Sequence, residues 1–186
     1  MGGFDRKNSL ASVHKFKLGT GKFEECAPLN KARHLHSTCA CSFQLYVVGG
    51  YCSTDDTTLR SIEFYDPNVK SWQLFDDILS HAVKRPLACA TKIDDSNAYN
   101  LLVLGGESSD GAKINACHLF DAKVNEKSTS LFEHHITASN AYLVGDMSDR
   151  VFAMDLGAKA TLLAYDFNCK TGKITQVSDS IVIPQN

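Results

Sequence analysis

Apolar residues along this chain fall in short runs broken by turn residues. In SIEFYDP, Ile62 and Phe64 share one face while Ser61, Glu63 and Tyr65 share the other, the period-two alternation of a strand. The runs LYVV (Leu45 to Val48) and LLVL (Leu101 to Leu104) each stop at a double glycine. Hairpin turn chemistry follows at Asp66-Pro67-Asn68, at Gly19-Thr20-Gly21 and at Gly172. No segment sustains a 3.6-residue period with caps, so the pattern predicts an all-β chain.

The runs repeat. LYVVGGY (Leu45 to Tyr51) returns as LLVLGGE (Leu101 to Glu107), and the chain opens on MGGFD, so double glycines stand at Gly2-Gly3, Gly49-Gly50 and Gly105-Gly106. Gly2 to Gly49 is 47 residues and Gly49 to Gly105 is 56. Downstream, Tyr65 and Trp72 stand seven apart, as do Phe16 and Phe23. Phe120-Asp121 matches Tyr65-Asp66 in the third copy, where the tryptophan lapses. Tyr165-Asp166 restores the pair in a fourth, with Ile174 expected near the tryptophan position. Between units, KARHLHSTCACS and VKRPLACATK align on Arg33 and Arg85, the longer second spacing being taken up by the polar turn at Asp94 to Asn97.

Each unit therefore reads as four short antiparallel strands: an apolar strand ending in Gly-Gly, a strand ending in Tyr-Asp, a Trp, and an Arg before the next unit. This arrangement resembles the kelch repeat, the four-stranded blade of a β-propeller. The resemblance is specific in the second unit, where Gly49-Gly50, Tyr65, Asp66, Trp72 and Arg85 occur in order. It implies a kelch-type propeller or partial propeller of about three and a half blades in a single domain over 1–186. The divisions are a partial first blade at 1–33, a second at 34–84, a third at 85–135 and a degenerate fourth at 136–186. The strands ending at Gly49 and Gly105 are expected to be inner strands, and Trp72 and Tyr65 to be buried framework. Ile181 to Ile183 is the one C-terminal run available to lend a strand to the first blade, which needs two. Another chain or segment is therefore expected to complete the open edge, since exposed apolar strand edges invite association.

Composition narrows the function classes. With 44% hydrophobic and 22% charged residues the chain can bury a core. Nineteen basic residues against 21 acidic ones leave a formal charge of −2, which gives nucleic-acid binding no electrostatic footprint. No apolar run is long enough to span a membrane, and MGGFDRKNSL lacks a signal-peptide centre. Seven cysteines, an odd number with no C-x-x-C, fit reduced thiols, so a cytoplasmic location is expected, with a cytoskeletal or ciliary setting as a variant.

Candidate chemistry is sparse. His34, His36, Cys39 and Cys41 cluster within eight residues, but on a strand the first two and the last two face opposite ways, so a zinc site would need a bulge. Small apolar packing is the expected role of both cysteines. The adjacent rings of His134-His135 diverge on a strand, and Asp55-Asp56, Asp76-Asp77 and Asp94-Asp95 read as solvated turn tips. Tyr51-Cys52 prompts comparison with copper-radical propeller oxidases, whose loop histidines and export signal are missing here. No nucleophile is nominated, and no cofactor or metal is expected.

The double glycines, Tyr65, Trp72, Arg33 and Arg85 recur between copies and read as framework. The loops after each double glycine differ, and these are the expected partner-binding elements. They offer Asp5, Arg6, Lys7, Tyr51, Asp55, Asp56, Arg60 and Glu107. The resemblance implies a non-catalytic protein-interaction module, a scaffold or recognition subunit of a larger intracellular assembly. The alternatives are the substrate-recognition part of a ubiquitin-ligase adaptor and a propeller-scaffold enzyme acting on sugars.

Overall fold

The computed structural model describes residues 1–41, 43–92, 99–121, 129–133, 141–145, 150–155, 161–168, 173–177 and 181–182, and these hold strands and turns without a helix. The first sheet pairs β1 (Val13–Lys17) with β2 (Lys22–Cys26) alone. The second has β3 (Ser37–Cys41), β4 (Gln44–Val48), β7 (Ile62–Asp66) and β8 (Ser71–Phe75) in the order β3-β4-β7-β8. Between β4 and β7 the loop folds into a small hairpin of β5 (Tyr51–Cys52) and β6 (Thr57–Thr58).

The third sheet repeats the second's order with β9 (Leu87–Lys92), β10 (Tyr99–Leu104), β11 (Ala116–Asp121) and β12 (Thr129–Glu133). The fourth holds β13 (Ala141–Gly145), β14 (Arg150–Asp155), β15 (Thr161–Asn168) and β16 (Lys173–Gln176). It gains a fifth strand, β17 (Ile181–Val182), on β15.

Four expectations are corrected here. The strands ending at Gly49 and Gly105 are second in their sheets, flanked on both sides. The first strands are innermost, β3 standing against β9 and β9 against β13. Ile181 and Val182 do not reach the first sheet; they pair with Leu162 and Thr161, the stretch of β15 that β16 leaves uncovered. Ile174 lies opposite Phe167, and the tryptophan position of the fourth unit falls to Gln176, the partner of Tyr165. Finally, Arg85 is not the counterpart of Arg33. Gly3 N–H donates to Arg33 O at 2.9 Å and Gly50 N–H to Val83 O at 2.8 Å, so Arg33 matches Val83, and matching by residue type had slipped by two positions.

The core lies between the sheets, because both faces of the middle strands are covered. Ile62 and Phe64 of β7 meet Leu101, Val103 and Phe120 of the third sheet in one apolar cluster with Tyr46, Val48, Leu79 and Val83. On the other face Trp72 is 5% exposed among Val13, Leu29 and Val47, as expected of framework, while Tyr65 packs against it half-buried. Cys41 lies in the first cluster and Cys39 packs on it. Burial pushes the thiols of Cys39 and Cys117 up to about 12, which keeps them protonated and unreactive.

The double glycines fix where each sheet meets the segment leading into the next. At Gly50 φ is +101° and a Cβ would stand 2.7 Å from His34 O; at Gly106 φ is +100° and a Cβ would stand 2.3 Å from a Val83 methyl and 2.6 Å from Lys84 O. Both the backbone angle and the space demand glycine.

Candidate interaction rim and the joints between blades

Two backbone rungs recur at each double glycine. Gly2, Gly49 and Gly105 donate to Ser12, Ser61 and Ala116; Leu10, Leu59 and Ile114 donate back to Gly3, Gly50 and Gly106. His34 and Tyr51 exchange both backbone bonds, and Lys84 and Glu107 do the same. Phe4, Tyr51 and Glu107, the residues directly after each double glycine, are therefore equivalent, and His34 and Lys84 are equivalent on the connecting segments.

These five positions form one row across three blades. The ring of Phe4 stacks on His34 at 4.6 Å, His34 meets Tyr51 edge-on at 5.4 Å, and Lys84 Nζ stands 5.8 Å from the centre of the Tyr51 ring. Beyond Lys84, Glu107 takes a 2.5 Å ion pair from Arg85. Ser9 braces the row from below, its hydroxyl 2.8 Å from His34 Nδ1 and donating to Tyr51 O at 3.2 Å. Burial lowers the His34 pKa and the Arg85 charge adds to the shift, so the ring is neutral at pH 7. The Tyr51 phenol donates to Asp56, and that bond holds the phenol's pKa above its ordinary value. A groove of about 470 Å³ opens between the loops, lined by His34, Leu35, Tyr51, Asp56, Lys84 and Ser109 among others.

Of the residues expected in partner-binding loops, the structure brings Tyr51 and Asp56 into this groove and places Glu107 next to it. Asp5 accepts the N–H groups of Lys7 and Asn8 at 2.9 and 2.6 Å, bonds that lower its pKa and close a turn with Arg6 and Lys7 exposed beyond Phe4. Asp55 is exposed and accepts from Cys52 Sγ at 3.5 Å. Arg60 turns away from the rim, donating to Leu79 O at 2.9 Å. Phe4, His34 and Lys84 complete the row, with Arg85 paired to Glu107 beside it. The signal for Phe4 is its position after Gly-Gly; His34, Lys84 and Arg85 lie on the connecting segments, outside the loops expected to bind partners.

His34 and His36 part company across Leu35, whose φ is +54°. His36 is largely buried and its pKa falls to about 4, mainly through burial. Among the described residues no group of three or more His, Cys, Asp or Glu side chains converges as a metal site. His134-His135 and Asp94-Asp95 lie outside the described residues.

Two polar joints tie the blades together. At the first, Glu63 is fully buried and accepts four bonds: from Asn30 N (2.7 Å) and Nδ2 (2.9 Å), Lys31 N (3.0 Å) and Arg33 (2.6 Å). Arg33, also fully buried, further donates to Gly49 O and Ser61. At the second, the position of Glu63 is taken by His118, whose Nε2 lies 3.1 Å from Ser80 N and 2.9 Å from Ser80 Oγ. The Ser80 and His118 pair has the outline of a nucleophile and base. However, the same ring nitrogen receives the backbone N–H, as Glu63 receives Asn30 N, so the geometry is that of a fastening between segment and strand.

A profile of the kelch motif matches residues 32–75, the stretch from the first joint through Trp72. Residues 32–75 thus carry a kelch motif. Kelch-like protein 33 of Homo sapiens is 29% identical over 128 residues, covering 69% of this chain and 22% of that protein. Kelch-like protein 35 of Mus musculus is 28% identical over 154 residues, covering 78% of this chain and 25% of that protein. The chain thus spans about a quarter of the length of these curated relatives. With its antiparallel sheets set side by side, the architecture is a partial kelch propeller.

Proposed function

We propose that this chain is a non-catalytic recognition module that binds a partner protein across the row Phe4, His34, Tyr51, Lys84 and Glu107, as a subunit of a cytoplasmic assembly. The observation that carries the reading is the row itself. Three side chains that follow the double glycines and two from the connecting segments line up, four of them joined by ring and cation contacts that the core does not need. Aromatic and cationic groups on a rigid scaffold suit protein recognition, where Tyr and Arg are favoured anchors. The shallow, polar groove beside Tyr51 accommodates an extended segment, and among the described residues no reactive constellation competes for it.

The test is affinity capture with quantitative mass spectrometry. The parent chain is compared with a Tyr51→Ala/Lys84→Glu variant and with a control carrying Val69→Ser in the β7–β8 turn. The expected result is a set of proteins held by the parent and by the Val69→Ser control but lost at least tenfold from the rim variant. Equal retention by all three overturns the assignment of the rim.

A further inference from the structure

The groove beside Tyr51 is walled by charges of both signs. Lys84 gives one N–H to Ser109 O at 3.2 Å, so its ammonium keeps two further donors and offers no acceptor. Asp56, in the turn of the β5–β6 hairpin, accepts the Tyr51 phenol, and the rest of its carboxylate is acceptor only. Among the described residues Lys84 and Asp56 form no ion pair with each other. Their donors and acceptors are left to whatever enters between the loops.

A third lining residue carries an unpartnered group. Among the described residues two buried side-chain polar atoms lack a hydrogen-bond partner, His36 Nδ1 and Thr58 Oγ1, and of these two residues Thr58 lines the groove. Thr58 stands opposite Tyr51 in the hairpin, and its oxygen is shut off from solvent although the residue as a whole is half-buried. Such a hydroxyl destabilises the free protein, because it is desolvated with no bond in return. A step of χ1 between staggered wells exchanges the places of its hydroxyl and methyl, so a group arriving in the groove can engage it.

We propose that the groove receives the side chain of an asparagine or glutamine from an extended partner segment, its carboxamide oxygen on Lys84, its N–H groups on Asp56, and the Thr58 hydroxyl completing the set. This rests on the rim reading above and names the anchor which that reading leaves open. A carboxylate would satisfy Lys84 but face Asp56, and an ammonium or guanidinium would satisfy Asp56 but face Lys84; like charges so placed reject the wrong side chain. A carboxamide carries an acceptor and two donors on one planar, uncharged group. A hydroxyl holds both roles on a single atom and spans less. A main-chain amide offers the same groups at every residue, so it would bring no sequence preference.

The test selects random peptides displayed on phage against the immobilised 186-residue chain and measures the affinity of the synthetic winners by fluorescence polarisation. The expected winners share Asn or Gln at one position and lose binding to the Tyr51→Ala/Lys84→Glu variant. Exchanging that residue for Asp or Glu in the peptide is expected to weaken binding about tenfold or more. Thr58→Val keeps the shape and removes the hydroxyl. It is expected to weaken the carboxamide peptide about three- to tenfold while raising the Tm of the free chain by about 2–4 °C, and Thr58→Ser is expected to keep the parent affinity.

The outcomes separate this proposal from the rim reading. Winners that need the rim but are anchored by an acidic or basic residue, or share no residue at all, overturn the carboxamide and leave the rim standing. A Thr58→Val chain that binds as tightly as the parent, or that melts lower, overturns the proposal as well, since the hydroxyl then has other employment. Winners that bind the Tyr51→Ala/Lys84→Glu variant as well as the parent, or a selection that enriches nothing, overturn the rim reading and this proposal with it.

Discussion

Replacing Glu63 by alanine removes the acceptor for four donors at once, and the structure sets the size of the loss. Arg33 keeps Gly49 O and the Ser61 oxygens, but its charge loses the carboxylate 2.6 Å away, and burial already depresses the guanidinium's pKa, with Glu63 opposing that shift. The N–H groups of Asn30 and Lys31 lose their acceptor as well. Breaking a buried ion pair from one side costs about 3–5 kcal/mol, and the bonds Arg33 retains put the expected loss near 4 kcal/mol.

The second joint supplies a control. Asn30→Ser, Arg33→Val and Glu63→His together transplant the Ser80, Val83 and His118 chemistry into the first joint. That triple variant is expected to lie within about 1.5 kcal/mol of the parent, because no charge is then stranded. Urea denaturation followed by the fluorescence of Trp72, the single tryptophan, reads both variants at the joint itself. A Glu63→Ala loss under about 1 kcal/mol would refute the argument, as would a triple variant no more stable than the single one.

Trp72→Ala is expected to cost about 3–5 kcal/mol, since the ring is buried between two blades, and calorimetry that finds Tm unmoved would contradict its placement. Burial, with His81 adding repulsion, lowers the His118 pKa from 6.5 to about 4. The unfolded chain therefore binds the proton first as pH falls. The stability His118 contributes is complete above about pH 6.5 and declines toward pH 4, by roughly 2 kcal/mol at pH 5. In His118→Gln that part of the pH slope between 7 and 5 should vanish from urea-unfolding curves; an unaltered slope would show that His118 does not titrate this way.

The sheets and their spacing were legible because the repeat is written in residues with no substitute. Glycine alone fits at Gly50 and Gly106, and the seven-residue interval from Tyr65 to Trp72 spans a hairpin whose last turn residue, Lys70, holds a φ of +57°. Phe16 and Phe23 could be matched to Tyr65 and Trp72 for the same reason. Glu63 was hidden because alternation places it on a face that reads as polar, whereas that face is closed by another blade and its partner lies 30 residues away. Arg33 and Arg85 misled by identity: one is buried in a joint, the other exposed on the rim beside Glu107. The rim row was half legible. Tyr51, Asp56 and Glu107 lie in variable loops, but His34 and Lys84 lie on segments that look like connectors and become neighbours of those loops only once the glycine rungs close.

Those rungs have an architectural consequence. From the second glycine to the residue whose N–H returns to it, the loop takes seven residues in the first unit, nine in the second and eight in the third. The residue directly after the glycines nevertheless keeps its station in the row each time. Loop length and row position are thus decoupled, and insertions at the tip can lengthen a loop without displacing its neighbours on the rim. A series of such blades behaves as a keyboard with two keys per unit, each replaceable by point mutation while the frame beneath is left untouched. New recognition surfaces can then arise by changing letters at fixed addresses, with no new fold required.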